Sequence, residues 1–186
     1  MSTRGKRPAP PGVPATDDIE SMIRVDHAGE YGAVRIYEGQ LAVFDSLNRT
    51  SKAADAIRSM AQAEQRHLQT FDRLVNERRV RPTVLEPVWR IAGFALGAAT
   101  ALMGEKAAMA CTAAVEEVID EHYASQIPRL SGDKTLKKTV EDFRADEIAH
   151  RDEALAHGAE QAPGYRLLSD AIKAGCRIAI KLSERI

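Results

Sequence analysis

Two segments of this chain place a carboxylate and an imidazole where a helix should bury apolar side chains. At steps of three and four residues, one helical stripe consists of Ile57, Met60, Glu64, His67, Phe71 and Leu74. The other consists of Leu136, Val140, Phe143, Glu147, His150 and Ala154. Burying an unpartnered polar group costs about 2–7 kcal/mol, and burying a charge costs more. Each Glu-x-x-His pair therefore requires a partner inside the fold.

The composition is that of a folded domain without a bias toward nucleic acid. Hydrophobic residues make up 44% of the 186 residues, and the formal net charge of −1 provides no general attraction to nucleic acid. The two cysteines, Cys111 and Cys176, are too few and too far apart for a disulfide framework or a thiolate metal site. No stretch reaches the roughly 20 apolar residues of a membrane-spanning helix.

Prolines, glycines and short polar loops divide the chain into a tail and six predicted helices. Residues 1–15 contain four of the eight prolines and predict a disordered tail. The predicted helices cover about 16–47, 52–79, 88–104, 105–127, 134–158 and 164–186. A Pro-x-aromatic-Arg sequence begins both the third and the sixth helix. This favours one all-α domain, 16–186, made of two three-helix repeats, about 16–104 and 105–186.

The first and fourth helices each add one glutamate to the Glu-x-x-His pairs. Glu30 and Glu116 lie within the apolar stripes of these two helices. One glutamate from each of two helices, with Glu-x-x-His from each of two others, is the ligand pattern of a dinuclear carboxylate site in a four-helix bundle. Two divalent cations balance four buried carboxylates that otherwise repel one another. The predicted metal ligands are Glu30, Glu64, His67, Glu116, Glu147 and His150.

The donor atoms limit which metals could bind at this site, but they do not identify one metal. Carboxylates and imidazoles without a thiolate suit iron or manganese, and they are compatible with zinc. The alternative is a bundle whose Glu–His pairs face water, which requires all six residues to share apolar stripes by accident.

Two aspartates are predicted to support the ligands. Asp146 lies four residues before His150, within reach of its free ring nitrogen, whereas the second helix has Ala63 at the equivalent position. Asp26 lies one turn before Glu30. A surface or capping role is the alternative for each aspartate.

Tyr123 lies on the predicted metal face of the fourth helix, and His122 is turned about 120° away from that face. A packing role and a redox or hydrogen-bonding role both remain open for Tyr123.

Three long segments resemble a known family. They are IRVDHAGEYGA (23–33), RVRPTVLEPVWRIAGFALGAATALMGEKAAMACTAAVEE (79–117) and AGCRIAIKLSERI (174–186). These segments resemble the demethoxyubiquinone hydroxylases of ubiquinone biosynthesis, and the likeness covers nearly the whole chain from about Ile19. The resemblance implies a ferritin-like four-helix bundle with a di-metal core and two additional amphipathic, membrane-facing helices.

The resemblance also implies an activity. Members of this family are di-iron monooxygenases that hydroxylate the quinone ring of a polyprenylated ubiquinone precursor with O2, and NADH is their reductant. The family's ligand set falls on the same six residues as the stripes. Its His–Tyr pair, which takes part in passing electrons from NADH to the quinone and the metals, falls on His122 and Tyr123. The resemblance allows a lipid-binding partner protein that delivers substrate, and the oligomeric state, including a homo-oligomer, remains open.

A polyprenyl substrate resides in a bilayer, so the third and sixth helices are predicted to contact a membrane lipid surface. The third helix contributes Trp89 and Phe94. The sixth places Lys173, Arg177 and Lys181 in a basic row beside apolar residues, as in an interfacial helix attracted to anionic lipid. A core helix with a solvated basic edge is the alternative. We expect a peripheral membrane protein on the cytoplasmic face of the bacterial inner membrane, or on the matrix face of the mitochondrial inner membrane in a eukaryote.

Three other functions fit part of the pattern. A ferritin- or rubrerythrin-like iron oxidase or peroxidase uses the same ligands, although the rubredoxin-type cysteines usual in rubrerythrins are absent. A di-iron hydroxylase that modifies tRNA is the second alternative, but such an enzyme would favour a basic, fully soluble surface. A non-enzymatic bundle that acts in protein assembly is the third, and bound iron with O2-dependent spectral changes would argue against it.

Overall fold

Helices account for the regular structure of the described part of the chain. The structure is a computed structural model that describes residues 16–185, with side chains from Asp18 onward. Over these residues the helices are α1 (Thr16–Ser46), α2 (Lys52–Arg78), α3 (Glu86–Leu102), α4 (Glu105–Gln126), α5 (Lys134–Ala156) and α6 (Tyr165–Ser183). Short 3-10 turns follow α4 and α5. The predicted all-α class is confirmed, and the predicted tail lies outside the described residues.

The helix boundaries mostly lie within two residues of the predicted ones, and side-chain caps mark the starts of two helices. The side chains of Ser51 and Asp133 accept hydrogen bonds from backbone amides at the starts of α2 and α5. The third helix begins at Glu86 rather than at residue 88, because Pro87 occupies its first turn. A proline is tolerated there, since the first amides of a helix have no partner within it.

The two three-helix halves have matching internal contacts. α1 packs against α2 and α3, and α4 packs against α5 and α6. The backbones of α1 and α3 lie very close together. A Cβ atom at Gly97 would lie 1.9 Å from the carbonyl oxygen of Ile36. A Cβ atom at Gly93 would lie 2.9 Å from the carbonyl oxygen of Gly32. Glycines therefore allow the backbones of α1 and α3 to approach each other.

A polar layer crosses the bundle between two apolar clusters. One cluster contains Met60, and the other contains Phe71 and Val140. Along α2, Glu64 and His67 lie between Met60 and Phe71 in the sequence. The apolar clusters on either side thus keep water away from the polar layer in the middle of the bundle.

Candidate metal centre

The structure brings all six predicted ligands together at the centre of the bundle. α1 and α4 each contribute one glutamate, and α2 and α5 each contribute one Glu-x-x-His pair. The exposed fractions of these six residues run from 0% for Glu64 to 8% for His150. Helical spacing explains the convergence, because residues three apart on a helix share a face and both pairs point toward the bundle axis.

The six side chains form two overlapping groups of four. Within each group the ligand atoms all lie within 4.8 Å of one another. The first group is Glu30, Glu64, His67 and Glu147, and the second is Glu64, Glu116, Glu147 and His150. Glu64 and Glu147 belong to both groups. This arrangement suits two neighbouring cations that share two carboxylates.

The free donor atoms of the cluster fit such a pair of cations. All six side chains have at least one buried oxygen or nitrogen atom without a hydrogen-bond partner. Nδ1 of His67 lies 3.1 Å from Oε1 of Glu147, yet neither atom has a hydrogen-bond partner. Nδ1 of His150 lies 3.0 Å from Oε1 of Glu64 in the same way. Unpartnered buried polar atoms are rare in proteins, so their convergence indicates ligands for metal.

In the absence of a cation, the charges of the cluster are out of balance. Burial, followed by repulsion from Glu147, raises the pKa of both Glu64 and Glu116 well above the ordinary value. Burial opposes the charge on His67, but the carboxylates of Glu147 and Glu30 outweigh it and raise the pKa of His67 to about 12. The metal-free cluster therefore retains protons that cations would displace.

Two buried tyrosines connect the halves through the glutamates. The hydroxyl of Tyr37 donates a hydrogen bond to Oε1 of Glu116 at 2.6 Å, and that of Tyr123 donates to Oε1 of Glu30. Each tyrosine lies seven residues after the glutamate of its own helix and contacts the glutamate of the other half. Sequence reasoning missed Tyr37, and this shared spacing is the signal that identifies it.

The structure corrects the predicted partner of Asp146. Oδ2 of Asp146 lies 3.1 Å from Nε2 of His67, whereas His150 on its own helix was the expected partner. The reason is that α5 packs against α2, and the half-exposed carboxylate reaches across the helix pair rather than along α5. A carboxylate beside Nε2 favours the tautomer with the proton on that nitrogen, which leaves the Nδ1 lone pair for a metal.

The side chain of Asp26 contacts two residues of α4, His122 and Gln126. Its Oδ1 atom lies 3.1 Å from Nε2 of His122 and accepts a hydrogen bond from Nε2 of Gln126 at 2.7 Å. Burial raises the pKa of Asp26, and the contacts with His122 and Gln126 oppose this increase. Sequence reasoning missed Gln126, whose partner lies on another helix.

An apolar groove with a volume of about 560 Å³ extends to Glu30 of the candidate metal cluster. Residues of α1, α3, α4 and α6 line it, and most of them are aliphatic. Glu30, His122 and Tyr123 supply polar groups to the lining. The groove therefore gives an apolar molecule access to the neighbourhood of a ligand carboxylate.

Apolar side chains predicted to contact a membrane lie on α3, beside this groove. Trp89 lines the groove, and its Nε1 donates a hydrogen bond to Oγ of Ser183 at 3.0 Å. Phe94 is 42% exposed. No helix in the described part of the chain is both long and apolar enough to cross a membrane.

The basic row of α6 has partners on α4. Nζ of Lys173 lies 2.7 Å from Oε2 of Glu117, and Nη2 of Arg177 lies 2.9 Å from Oε2 of Glu121. Lys181, the third member of the predicted row, is exposed. Two of the three cations thus join α6 to α4 in addition to any contact with lipid.

Comparison with known proteins decides the family. Residues 17–183 match the family model described as ubiquinone biosynthesis protein COQ7. The chain belongs to this family. The match covers the chain from the start of α1 to the end of α6 and so includes every residue of the metal cluster.

Curated relatives are similar to this chain over most of their lengths. The chain is 57% identical over 169 residues to 3-demethoxyubiquinol 3-hydroxylase of Rhodospirillum rubrum, covering 90% of this chain and 78% of that protein. It is 51% identical over 173 residues to a mitochondrial protein of Homo sapiens named NADPH-dependent 3-demethoxyubiquinone 3-hydroxylase, with coverages of 90% and 78%. It is 39% identical over 184 residues to mitochondrial 5-demethoxyubiquinone hydroxylase of Saccharomyces cerevisiae, with coverages of 90% and 78%. These similarities confirm the family resemblance found in the sequence.

Proposed function

We propose that this protein is a di-iron monooxygenase of ubiquinone biosynthesis. It hydroxylates the benzoquinone ring of a polyprenylated demethoxyubiquinone intermediate with O2 and takes electrons from NADH. The observation that carries the proposal is a pair of overlapping four-donor groups at an apolar groove. The names of the relatives, which state hydroxylation of demethoxyubiquinone or demethoxyubiquinol, support the substrate.

Two iron ions fit the donor set and the reaction. Both ions would be held by Glu64 and Glu147, one of them also by Glu30 and His67, and the other also by Glu116 and His150. Bound iron supplies one-electron chemistry with O2, which amino-acid side chains lack. Zinc fits the same donors but has no redox chemistry.

The protein's own residues hold the reactants in place. The aliphatic walls of the groove suit a prenyl chain and exclude water from the ring. The hydroxyls of Tyr37 and Tyr123 each occupy one oxygen of a glutamate, which orients the other oxygen toward the metal position. Asp146 holds the ring of His67 in the ligating orientation.

His122 and Tyr123 are the residues we propose for passing electrons to the quinone and the metals. Both line the groove, and their ring centroids lie 6.3 Å apart. Tyr123 also contacts the carboxylate of Glu30, so it lies between the groove and the metal cluster. NADH is the proposed donor, and the human relative's name specifies NADPH, so the activity assay compares both nucleotides.

The proposal includes peripheral contact with a bilayer, on the cytoplasmic face of the inner membrane or the matrix face in mitochondria. Ile91 of α3 is 72% exposed and Leu167 of α6 is 79% exposed, which leaves large apolar side chains unburied on the two helices beside the groove. Flotation with anionic vesicles tests this contact. Replacing Ile91 and Leu167 by glutamate should abolish flotation, while Leu47→Glu should not, because the half-exposed Leu47 follows α1 and lies on neither α3 nor α6. Flotation by the double variant would contradict the assignment of this surface.

The experiment that tests the function follows the oxygen atom. Iron-loaded protein receives a short-chain demethoxyquinone, isotopically labelled O2 and either NADH or NADPH, and the quinone is analysed by mass spectrometry. We expect one labelled oxygen atom in the ring, dependent on iron and reductant. Glu116→Ala should abolish the product, whereas Glu141→Ala should retain it, because Glu141 is exposed on α5. Consumption of O2 with iron oxidation and no ring oxygenation would contradict the proposal and favour an iron oxidase.

A further inference from the structure

Asp26, His122 and Gln126 form a polar cluster that the metal site does not use. Nε2 of Gln126 lies 2.7 Å from Oδ1 of Asp26 and 2.9 Å from Nε2 of His122. Nε2 of His122 lies 3.1 Å from the same Asp26 oxygen. The side chain of Asp26 is 0% exposed, while that of His122 is 13% exposed and lines the groove. Asp26 also belongs to the lining, so the buried carboxylate and the imidazole are in contact at the wall of the groove.

The other half of the bundle contains a neutral counterpart of this cluster. Asp26 and Thr112 each lie four residues before a glutamate ligand, and Gln126 and Gln40 each lie ten residues after one. As Gln126 donates to Asp26, so Gln40 approaches Oγ1 of Thr112 at 3.4 Å. At the equivalent position of the other half, the neutral hydroxyl of Thr112 is thus sufficient to connect α4 to α1. The carboxylate at Asp26 requires a different explanation.

The position of His122 differs between the halves in the same way. His122 lies six residues after Glu116, and the residue six positions after Glu30 is Ile36. Ile36 is buried in an apolar cluster. These two ionisable departures from the pattern, Asp26 and His122, therefore occur together, in contact, at the wall of the groove.

We propose that Asp26 is a positioning residue that fixes the imidazole of His122 at the groove for proton exchange with a ring oxygen of the quinone or quinol. The proposal rests on the proposed function, which places that ring in the groove. We assign the ring proton of neutral His122 to Nε2, facing Oδ1 of Asp26, which also accepts a hydrogen bond from Nε2 of Gln126. Nδ1 then takes the proton of a ring hydroxyl, and the Asp26 carboxylate balances the imidazolium charge until the proton returns.

Charged groups from all the surrounding elements act on His122. Burial lowers the pKa of His122, and the adjacent Asp26 raises it by hydrogen bonding and charge. Glu184, after α6, adds to the increase, and Arg129, after α4, opposes it, so that the net pKa is raised. Removing the Asp26 charge should therefore lower the pKa of His122, whereas a purely packing role for Asp26 predicts no such change.

Asp26→Asn tests the role because it keeps the shape of the side chain and removes its charge. In zinc-loaded protein, the His122 pKa measured by NMR of the ring should fall. In the iron-loaded protein, kcat for hydroxylation should fall about ten- to hundredfold and its pH profile should shift. KM and the metal content should not change. The second variant is Asp26→Thr, which introduces the residue found at the equivalent position, Thr112, and should have the same effects as Asp26→Asn.

Asp72→Asn is the matched control. Oδ1 of Asp72 lies 2.9 Å from Nε2 of His27, so the same type of pair is removed at a position that does not line the groove. This control should leave kcat and the His122 pKa unchanged. An unaltered His122 pKa and kcat in both Asp26 variants, or an equal loss in Asp72→Asn, would overturn the proposal. A wild type that fails to hydroxylate contradicts the proposed function instead, and the NMR comparison still decides whether Asp26 controls His122.

Discussion

The two three-helix halves of this protein supply equivalent residues to the proposed metal sites but differ around them. Each half provides a glutamate, a Glu-x-x-His pair and a tyrosine that contacts the glutamate of the other half. Only one half has an aspartate, Asp146, beside a ligand histidine, since Ala63 occupies the equivalent position. Asp26 and His122 likewise lack ionisable counterparts. The matched residues are the proposed ligands and the tyrosines that contact them, while the unmatched Asp26 and His122 line the groove. The reciprocal tyrosine contacts support the proposal of two repeats.

Removing a shared ligand should have the largest effect, because it affects both halves at once. Glu147→Ala should lower the metal content from two ions per chain toward none, whereas Glu116→Ala should leave about one, because Glu116 belongs to one group of donors. Both variants should lose hydroxylation. Elemental analysis of iron-loaded protein measures the content, with Glu141→Ala as the exposed control on the same helix. Equal metal contents in the two ligand variants would show that the shared roles are assigned wrongly.

The asymmetry at the ligand histidines predicts a smaller, one-sided effect. Asp146→Asn should weaken metal binding about ten- to hundredfold at the site that contains His67, since the carboxylate no longer favours the ligating tautomer. The other site should keep its affinity. Competitive metal titration resolves the two sites. Asp142→Asn is the control, because Asp142 pairs with the exposed Lys138 on the same helix, and an equal loss there would refute the role of Asp146.

The same glycine-to-alanine change should affect the stability of the protein differently on α3 and on α6, because the two helices pack differently. Gly97→Ala should destabilise the protein by about 1–3 kcal/mol, because the added methyl group meets the backbone of α1. Gly175→Ala on α6 should be neutral or stabilise by up to about 1 kcal/mol, since the added Cβ would point into open space and alanine favours helix. Denaturant unfolding compares the two variants. Equal stability would show that α1 and α3 are not held as closely as described.

How far the sequence predicts these features depends on whether they are local. Helical spacing identifies Glu64 with His67 and Glu147 with His150, because each pair lies within one turn of its own helix. The partner of Asp146 depends on how α2 packs against α5, which no single-helix pattern contains. The sharing of two glutamates between both metal sites depends in the same way on the meeting of four helices.

The pH dependence of the metal-free protein should give the smallest effect. The raised pKa values of Glu64 and Glu116 mean that their contribution to stability is complete below the ordinary carboxyl range and is lost as the pH rises through the raised values. His67 acts in the same direction, with its contribution lost as the pH rises through about 12.

Thermal unfolding between about pH 5 and about pH 8 measures this dependence. The metal-free protein should lose stability across that range, while the metal-loaded protein should not, because its ligands are already deprotonated. Parallel curves would contradict the charge imbalance described for the cluster.

The central claim is that two matched halves hold two cations through shared carboxylates. Anomalous diffraction from crystals of iron-loaded protein tests it most directly. The account predicts two iron peaks about 3.5–4 Å apart, both contacting Glu64 and Glu147, with His67 at one and His150 at the other. A single peak at full loading, or both histidines on one ion, would contradict it.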